Sequence, residues 1–159
     1  MVDLVHRFAT SPERVAILRG LISYRAALRA AGIQFGLQWI DGSFTENCEG
    51  VKGRPPGDVD VVNLLRRPAH ARDIEEWEAF LMGNMPLFDP QQTKPAFHCD
   101  AYFIDLDIDQ VSMVKQASYW FGLFSHQRDS FRWKGLVQID LMEEDADASA
   151  ILDDIEAAW

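Results

Sequence analysis

The sequence predicts an α/β (α+β) fold: a small mixed β-sheet with helices packed on it. Three observations carry this. Helix-periodic and strand-like segments alternate along the chain. Two strand-like runs, 58–65 and 97–106, are rich in β-branched or aromatic residues and bounded by turn formers. The whole length, 159 residues, is that of one ordinary domain, 1–159, enough to bury a sizeable core.

In chain order, Thr10-Ser11-Pro12-Glu13 reads as a capping box with proline in the first turn. Ile17, Leu21, Tyr24 and Leu28 follow at helical spacing, flanked by Leu18 and Ile22, and Gly32 is a natural stop. Arg14, Arg19, Arg25 and Arg29 fall mostly off that stripe, which predicts a solvated face. Residues 35–40 form a short strand that runs into Asp41-Gly42-Ser43, and the glycine- and proline-rich stretch 44–57 reads as turns. The run 58–65 is a buried strand ended by Pro68. Residues 70–82 suit a helix with Ile74, Trp77 and Leu81 on one side. The stretch 83–95 reads as a loop, 97–106 as a third strand, and 109–124 as a helix with Val111, Val114, Ser118 and Phe121 along one side. A fourth strand spans 134–142. An acidic helix with Ile151 and Ile155 inward covers 145–159.

Charge and composition narrow the function classes. The formal net charge of −10 repels polyphosphate backbones, so tight non-specific nucleic-acid binding is disfavoured. A single nucleotide needs only a local cationic pocket, and a basic protein partner is electrostatically favoured. Cys48 and Cys99 are too few for a disulfide framework and read as reduced thiols. Neither a leader-like stretch nor an apolar span of about 18 residues is seen, which predicts a soluble, cytoplasmic protein.

The chemistry concentrates in Asp58-Val59-Asp60-Val61-Val62. Side chains at i and i+2 of a strand share a face, so Asp58 and Asp60 project together. Two carboxylates about 4 Å apart at an effective dielectric of about 20 repel by roughly 4 kcal/mol. A divalent cation removes that cost, and magnesium prefers one or two carboxylates plus phosphate oxygens. A solvated pair at an edge-strand start is the bland alternative. Upstream, Gln38-Trp39-Ile40-Asp41-Gly42-Ser43-Phe44 reads as a strand entering a tight glycine turn. A helical turn from Thr45 onward would aim backbone N–H groups there and make an anion site, with the Ser43 hydroxyl as a further donor.

A strand, Gly-Ser, an interval and then Asp-hydrophobic-Asp-hydrophobic resembles the signature of the nucleotidyltransferase superfamily. That superfamily includes the DNA polymerase beta-like enzymes and the minimal nucleotidyltransferases of toxin–antitoxin pairs. The resemblance covers mainly residues 36–65 and 97–106. The interval of 14 residues between Ser43 and Asp58 is longer than in the minimal members. Trp120-Phe121-Gly122 and Lys134-Gly135 resemble an uncharacterised bacterial nucleotidyltransferase-like group.

The resemblance implies a nucleotidyltransferase-like fold and transfer of a nucleoside monophosphate from a nucleoside triphosphate to a hydroxyl of an acceptor (a protein, a tRNA or a small molecule). It implies that Gly42 and Ser43 contact the triphosphate and that Asp58 and Asp60 bind Mg2+ or Mn2+. It implies a third carboxylate on a later strand, for which Asp100 is favoured and Asp105 is the alternative. Arg128 and Lys134 are the first choices for cations on the triphosphate, ahead of Lys52 and Arg54; Arg66, Arg67 and Arg132 are the others. The competing expectation is a degenerate fold of the same kind, acting as an antitoxin or regulatory binding module. His98 and Cys99 face opposite ways on a strand and are poor zinc co-ligands. Trp77, Trp120, Trp133 and Trp159 read as core or interface residues.

Overall fold

The computed structural model describes all 159 residues. Eight helices surround a four-stranded mixed sheet, an α/β arrangement as expected. The strands are β1 (Gly36–Asp41), β2 (Val59–Leu65), β3 (Cys99–Asp105) and β4 (Val137–Asp140). Their order is β3-β2-β1-β4; β2 and β3 are parallel and the other two pairings antiparallel. No helix is long and apolar enough to cross a membrane.

The helices are α1 (Val2–Phe8), α2 (Pro12–Ala30), α3 (Cys48–Lys52), α4 (Ile74–Gly83), α5 (Met85–Phe88), α6 (Pro90–Phe97), α7 (Gln110–Phe124) and α8 (Ala146–Ala157). Pro12 opens α2 as expected, but the N-cap is Ser11, one residue later than the Thr10–Glu13 capping box implies, and its side chain accepts from the Arg14 N–H at 3.4 Å. Three differences from the sequence reading stand out. Helix α1 was not anticipated. The stretch 83–95 is two helices rather than a loop: Pro90 occupies the first turn, where a missing N–H costs nothing, and Pro95 is accommodated inside α6. Helix α7 turns its inner side one residue away from the expected stripe. Val111, Val114 and Phe121 are more than half exposed, whereas Ala117, Trp120 and Phe124 pack on the sheet.

The sheet is covered unequally, and this creates the site. One face carries Ile40, Val59, Val61, Leu65, Cys99 and Ala101 against α1, α2, α8 and the α4–α6 segment, forming the main core. The other face carries Val62, Leu64 and Ile104 under α7 in a small cluster, with the Trp120 ring packed, tilted, 4.7 Å from that of Tyr102. That second cover does not reach the strand ends that bear Asp41, Asp60 and Asp100. Gly20 lets α2 press on the α6–β3 junction, because a Cβ there would lie 2.0 Å from the Phe97 carbonyl oxygen.

The arginines of α2 do not form a solvated face. Arg14 and Arg25 are buried. Arg25 pairs with Asp145 at 2.9 Å and donates to Gln38 and to the carbonyls of Asp140 and Glu143. Arg19 pairs with Asp153 and Glu156, and Arg29 with Asp145. Asp145 and the carbonyl row are over a hundred residues away in sequence, so local periodicity carries no trace of them. Both cysteines are buried free thiols. Of the tryptophans, Trp77 and Trp120 pack inward, while Trp133 and Trp159 stand exposed.

Candidate functional site

Strand register builds a row of carboxylates. Asp41 on β1 is the partner of Asp60 on β2, and Asp60 is the partner of Asp100 on β3. All three fall on the face away from the main core. Asp58, two residues before Asp60, joins them. Ligand oxygens of Asp58, Asp60 and Asp100 all lie within 4.8 Å of one another. The sequence-predicted triplet is therefore brought together. Asp105 is not part of it: it sits at the far end of β3 and is held by Arg67 at 2.8 Å and by the Asp107 N–H.

The cluster is electrostatically loaded. Burial, then the charges of Asp58, Asp100 and Asp41, push the Asp60 carboxyl up from 3.8 to about 6. Burial also raises Asp41, against the opposing pull of the Gly42 N–H and of Lys134. A cation already answers this field. The Lys94 ammonium, from α6, sits on Asp58 and lies 4.0 Å from Asp100. Its own pKa is raised, chiefly by the hydrogen bond to Asp58. Neither Asp41 nor Lys94 was anticipated. Asp41 was legible as the residue before Gly42-Ser43, but Lys94 lay in a stretch read as loop.

The turn between β1 and α3 is tighter than expected. A 3₁₀ turn begins at Gly42 and runs to Thr45, ahead of the position expected from sequence. Gly42 has φ +82°, and a Cβ there would come within 2.4 Å of Asp60 Oδ2. Only glycine brings this turn flush against the carboxylate. Arg14 fixes the segment beyond it, donating to the Phe44 carbonyl at 2.6 Å and the Glu46 carbonyl at 2.8 Å while pairing with Glu49.

These elements line a cavity of about 950 Å3. Gly42, Ser43, Asp58, Asp60 and Asp100 are on its wall, with Lys52, Arg54, Lys94, Arg128 and Lys134 supplying positive charge. Of the cations singled out from sequence, Arg66, Arg67 and Arg132 lie outside it. Lys134 is engaged within the protein: its ammonium meets Asp41 at 3.0 Å, Glu46 at 3.0 Å and the Gly42 carbonyl at 3.2 Å. It thereby ties the 125–134 segment to the glycine turn. Lys52 pairs with Asp129 across the rim.

Chemically, the wall offers an all-oxygen, triply acidic set suited to a hard divalent cation, and among its cations Arg54 and Arg128 make no ion pair within the protein and are open to an anion. No curated protein and no solved structure matches the chain. A family model does match, over residues 1–140; it is described as a family of unknown function, DUF6932, and the chain belongs to that family.

Proposed function

We propose that the chain is a metal-dependent nucleotidyltransferase, moving a nucleoside monophosphate from a nucleoside triphosphate to an acceptor hydroxyl. The observation that carries the reading is the convergence of Asp58, Asp60 and Asp100 on one cavity, beside the Gly42-Ser43 turn and with Arg54 and Arg128 on the same wall. The donor set fits Mg2+ or Mn2+: three carboxylates, no sulfur or imidazole, and a field strong enough to draw in a lysine ammonium. When bound, a divalent ion supplies charge stabilisation to the triphosphate and to the attacking oxygen.

The chain's residues then have defined tasks. Asp58 and Asp60, at the start of β2, and Asp100 on β3 would hold the cation. Asp100 faces the acceptor and takes its hydroxyl proton. Ser43 and the turn cradle phosphate oxygens, and Arg128, Arg54 and Lys52 neutralise the pyrophosphate portion. Lys134 keeps the turn in place. A bond forms between the acceptor oxygen and the α-phosphorus as the α-phosphorus-to-pyrophosphate oxygen bond breaks, and pyrophosphate leaves. The remaining catalysis is positioning and charge stabilisation.

One observation favours a second reading. Lys94 already compensates Asp58, as it would in a degenerate site that serves as an antitoxin or regulatory binding module. Lys94 is more than half exposed on a flexible stem, however, so its ammonium can leave without disturbing the core. Calorimetry with each of the four nucleoside triphosphates, with and without magnesium, separates the two. The enzyme reading expects magnesium-dependent binding by the wild type that is lost in Asp60→Asn. Absence of binding by the wild type in every condition rejects it in favour of the binding module.

A further inference from the structure

The apolar part of the cavity wall lies on a single stretch of chain. It is formed by the end of α7 and the following segment, with Leu123, His126, Gln127, Arg128 and Phe131. Residues 125–134 form a closed hairpin. The Lys134 N–H donates to Ser125 O, the Gln127 N–H to Arg132 O, and the Phe131 N–H to Gln127 O, all within 3.0 Å. At its neck the His126 and Trp133 rings pack at 4.2 Å. Lys134 fixes that neck to the glycine turn, and the Lys52–Asp129 pair braces the tip.

At the tip, Phe131 is anomalous twice. Its φ is +53°, a left-handed conformation that bulky residues avoid. The residue is 79% exposed although it borders the cavity. No packing within the chain repays this arrangement. An aromatic ring held outward by a braced loop is what a stacking partner requires, since every base offers a π-face. Size points the same way: about 950 Å3 exceeds what a triphosphate fills and suits a whole nucleotide.

We infer that Phe131 is the stacking platform for the planar base of the bound nucleotide, with the 125–134 hairpin setting its distance from the Gly42-Ser43 turn. This rests on the nucleotidyltransferase reading above. Charge complementarity selects the occupant. The phosphates belong at the Gly42-Ser43 turn and the cations beside it; Arg128 meets them from the same hairpin that carries Phe131, and Gln127 lies within that wall to meet a base edge.

The test compares magnesium-dependent binding of ATP and of inorganic tripolyphosphate by calorimetry, for the wild type, Phe131→Ala and Phe131→Trp. The ring is exposed, so both variants retain the fold, and thermal melts verify this. Stacking expects Phe131→Ala to weaken ATP about tenfold or more and to leave tripolyphosphate unchanged, with Phe131→Trp restoring ATP affinity. Equal loss for both ligands, or no loss for ATP, overturns the platform while leaving the phosphate site intact. Failure of the wild type to bind tripolyphosphate or any of the four nucleoside triphosphates overturns the underlying reading, and the platform with it.

Discussion

Replacing Asp60 by asparagine should stabilise the metal-free protein, and the size of the effect follows from its surroundings. Asp60 is mostly withdrawn from water and lies among Asp58, Asp100 and Asp41, which together raise its carboxyl from 3.8 to about 6. At about 1.4 kcal/mol per pK unit, ionising it in the folded protein costs about 3 kcal/mol more than in the unfolded chain. The sign is definite. Below about pH 4 the group is protonated in both states and carries no penalty. Between about 4 and 6 the unfolded chain ionises first and stability falls. Above about 6 the penalty is complete. Residual solvent access and the Lys94 ammonium reduce the figure, so at pH 7.5 Asp60→Asn should gain about 1–3 kcal/mol, or about 3–10 °C in melting temperature for a chain of this length. At pH 4 the two proteins should melt together. Thermal unfolding followed by circular dichroism across that pH range, in chelator, measures it. A variant that melts lower than the wild type at pH 7.5 would refute the reasoning, because the carboxylate would then be a structural ligand rather than a strained one.

Two further outcomes discriminate between roles. Asp100→Asn should abolish magnesium-induced stabilisation and any transfer, whereas Asp105→Asn should leave metal binding intact and cost about 3 kcal/mol or more of stability by breaking the buried pair with Arg67; melts with and without magnesium read both, and the reverse order would move the third ligand to Asp105. Gly42→Ala should destabilise by about 1–3 kcal/mol, because a left-handed backbone and a Cβ 2.4 Å from Asp60 Oδ2 cannot both be kept, and it should weaken magnesium binding at least tenfold in calorimetry; unchanged affinity would mean that the turn does not shape the carboxylate.

The parts of this fold that were legible in sequence are those whose cause is local. The α2 stripe from Ile17 to Leu28 is a period of side chains on one helix, and it is buried as read. The pairing of Asp58 with Asp60 needs only strand parity; the preference for Asp100 over Asp105 rests instead on the family resemblance, because the parallel register that sets Asp100 beside Asp60 joins segments 40 residues apart. What escaped depends on residues far apart. Arg25 resembles any surface arginine until Asp145 arrives from the other end of the chain. The α7 stripe failed because its cover is narrow: only Ala117, Trp120 and Phe124 find the small cluster, so several apolar residues remain outside without penalty to the pattern. Helix α6 was hidden by its prolines, and Lys94 with it.

Electrostatics connects these hidden residues to the visible ones. Four aspartates at the end of three adjacent strands would weaken the sheet if nothing opposed them, yet the chain as a whole is acidic and has few cations to spare. Two are committed there in different ways. Lys134 is nearly enclosed between Asp41 and Glu46 and grips the Gly42 carbonyl, so its charge is a fixed part of the turn. Lys94 is largely open to solvent and touches Asp58 from a neighbouring helix, so its charge can be exchanged. A fixed cation on Asp41 leaves Asp58, Asp60 and Asp100 as the unbalanced set. An exchangeable one keeps that set tolerable, and on the proposed reading a divalent cation would take its place. The division between the two lysines explains why the cluster is three carboxylates and not four, and it is the arrangement a metal site needs if the protein is to fold before the metal arrives.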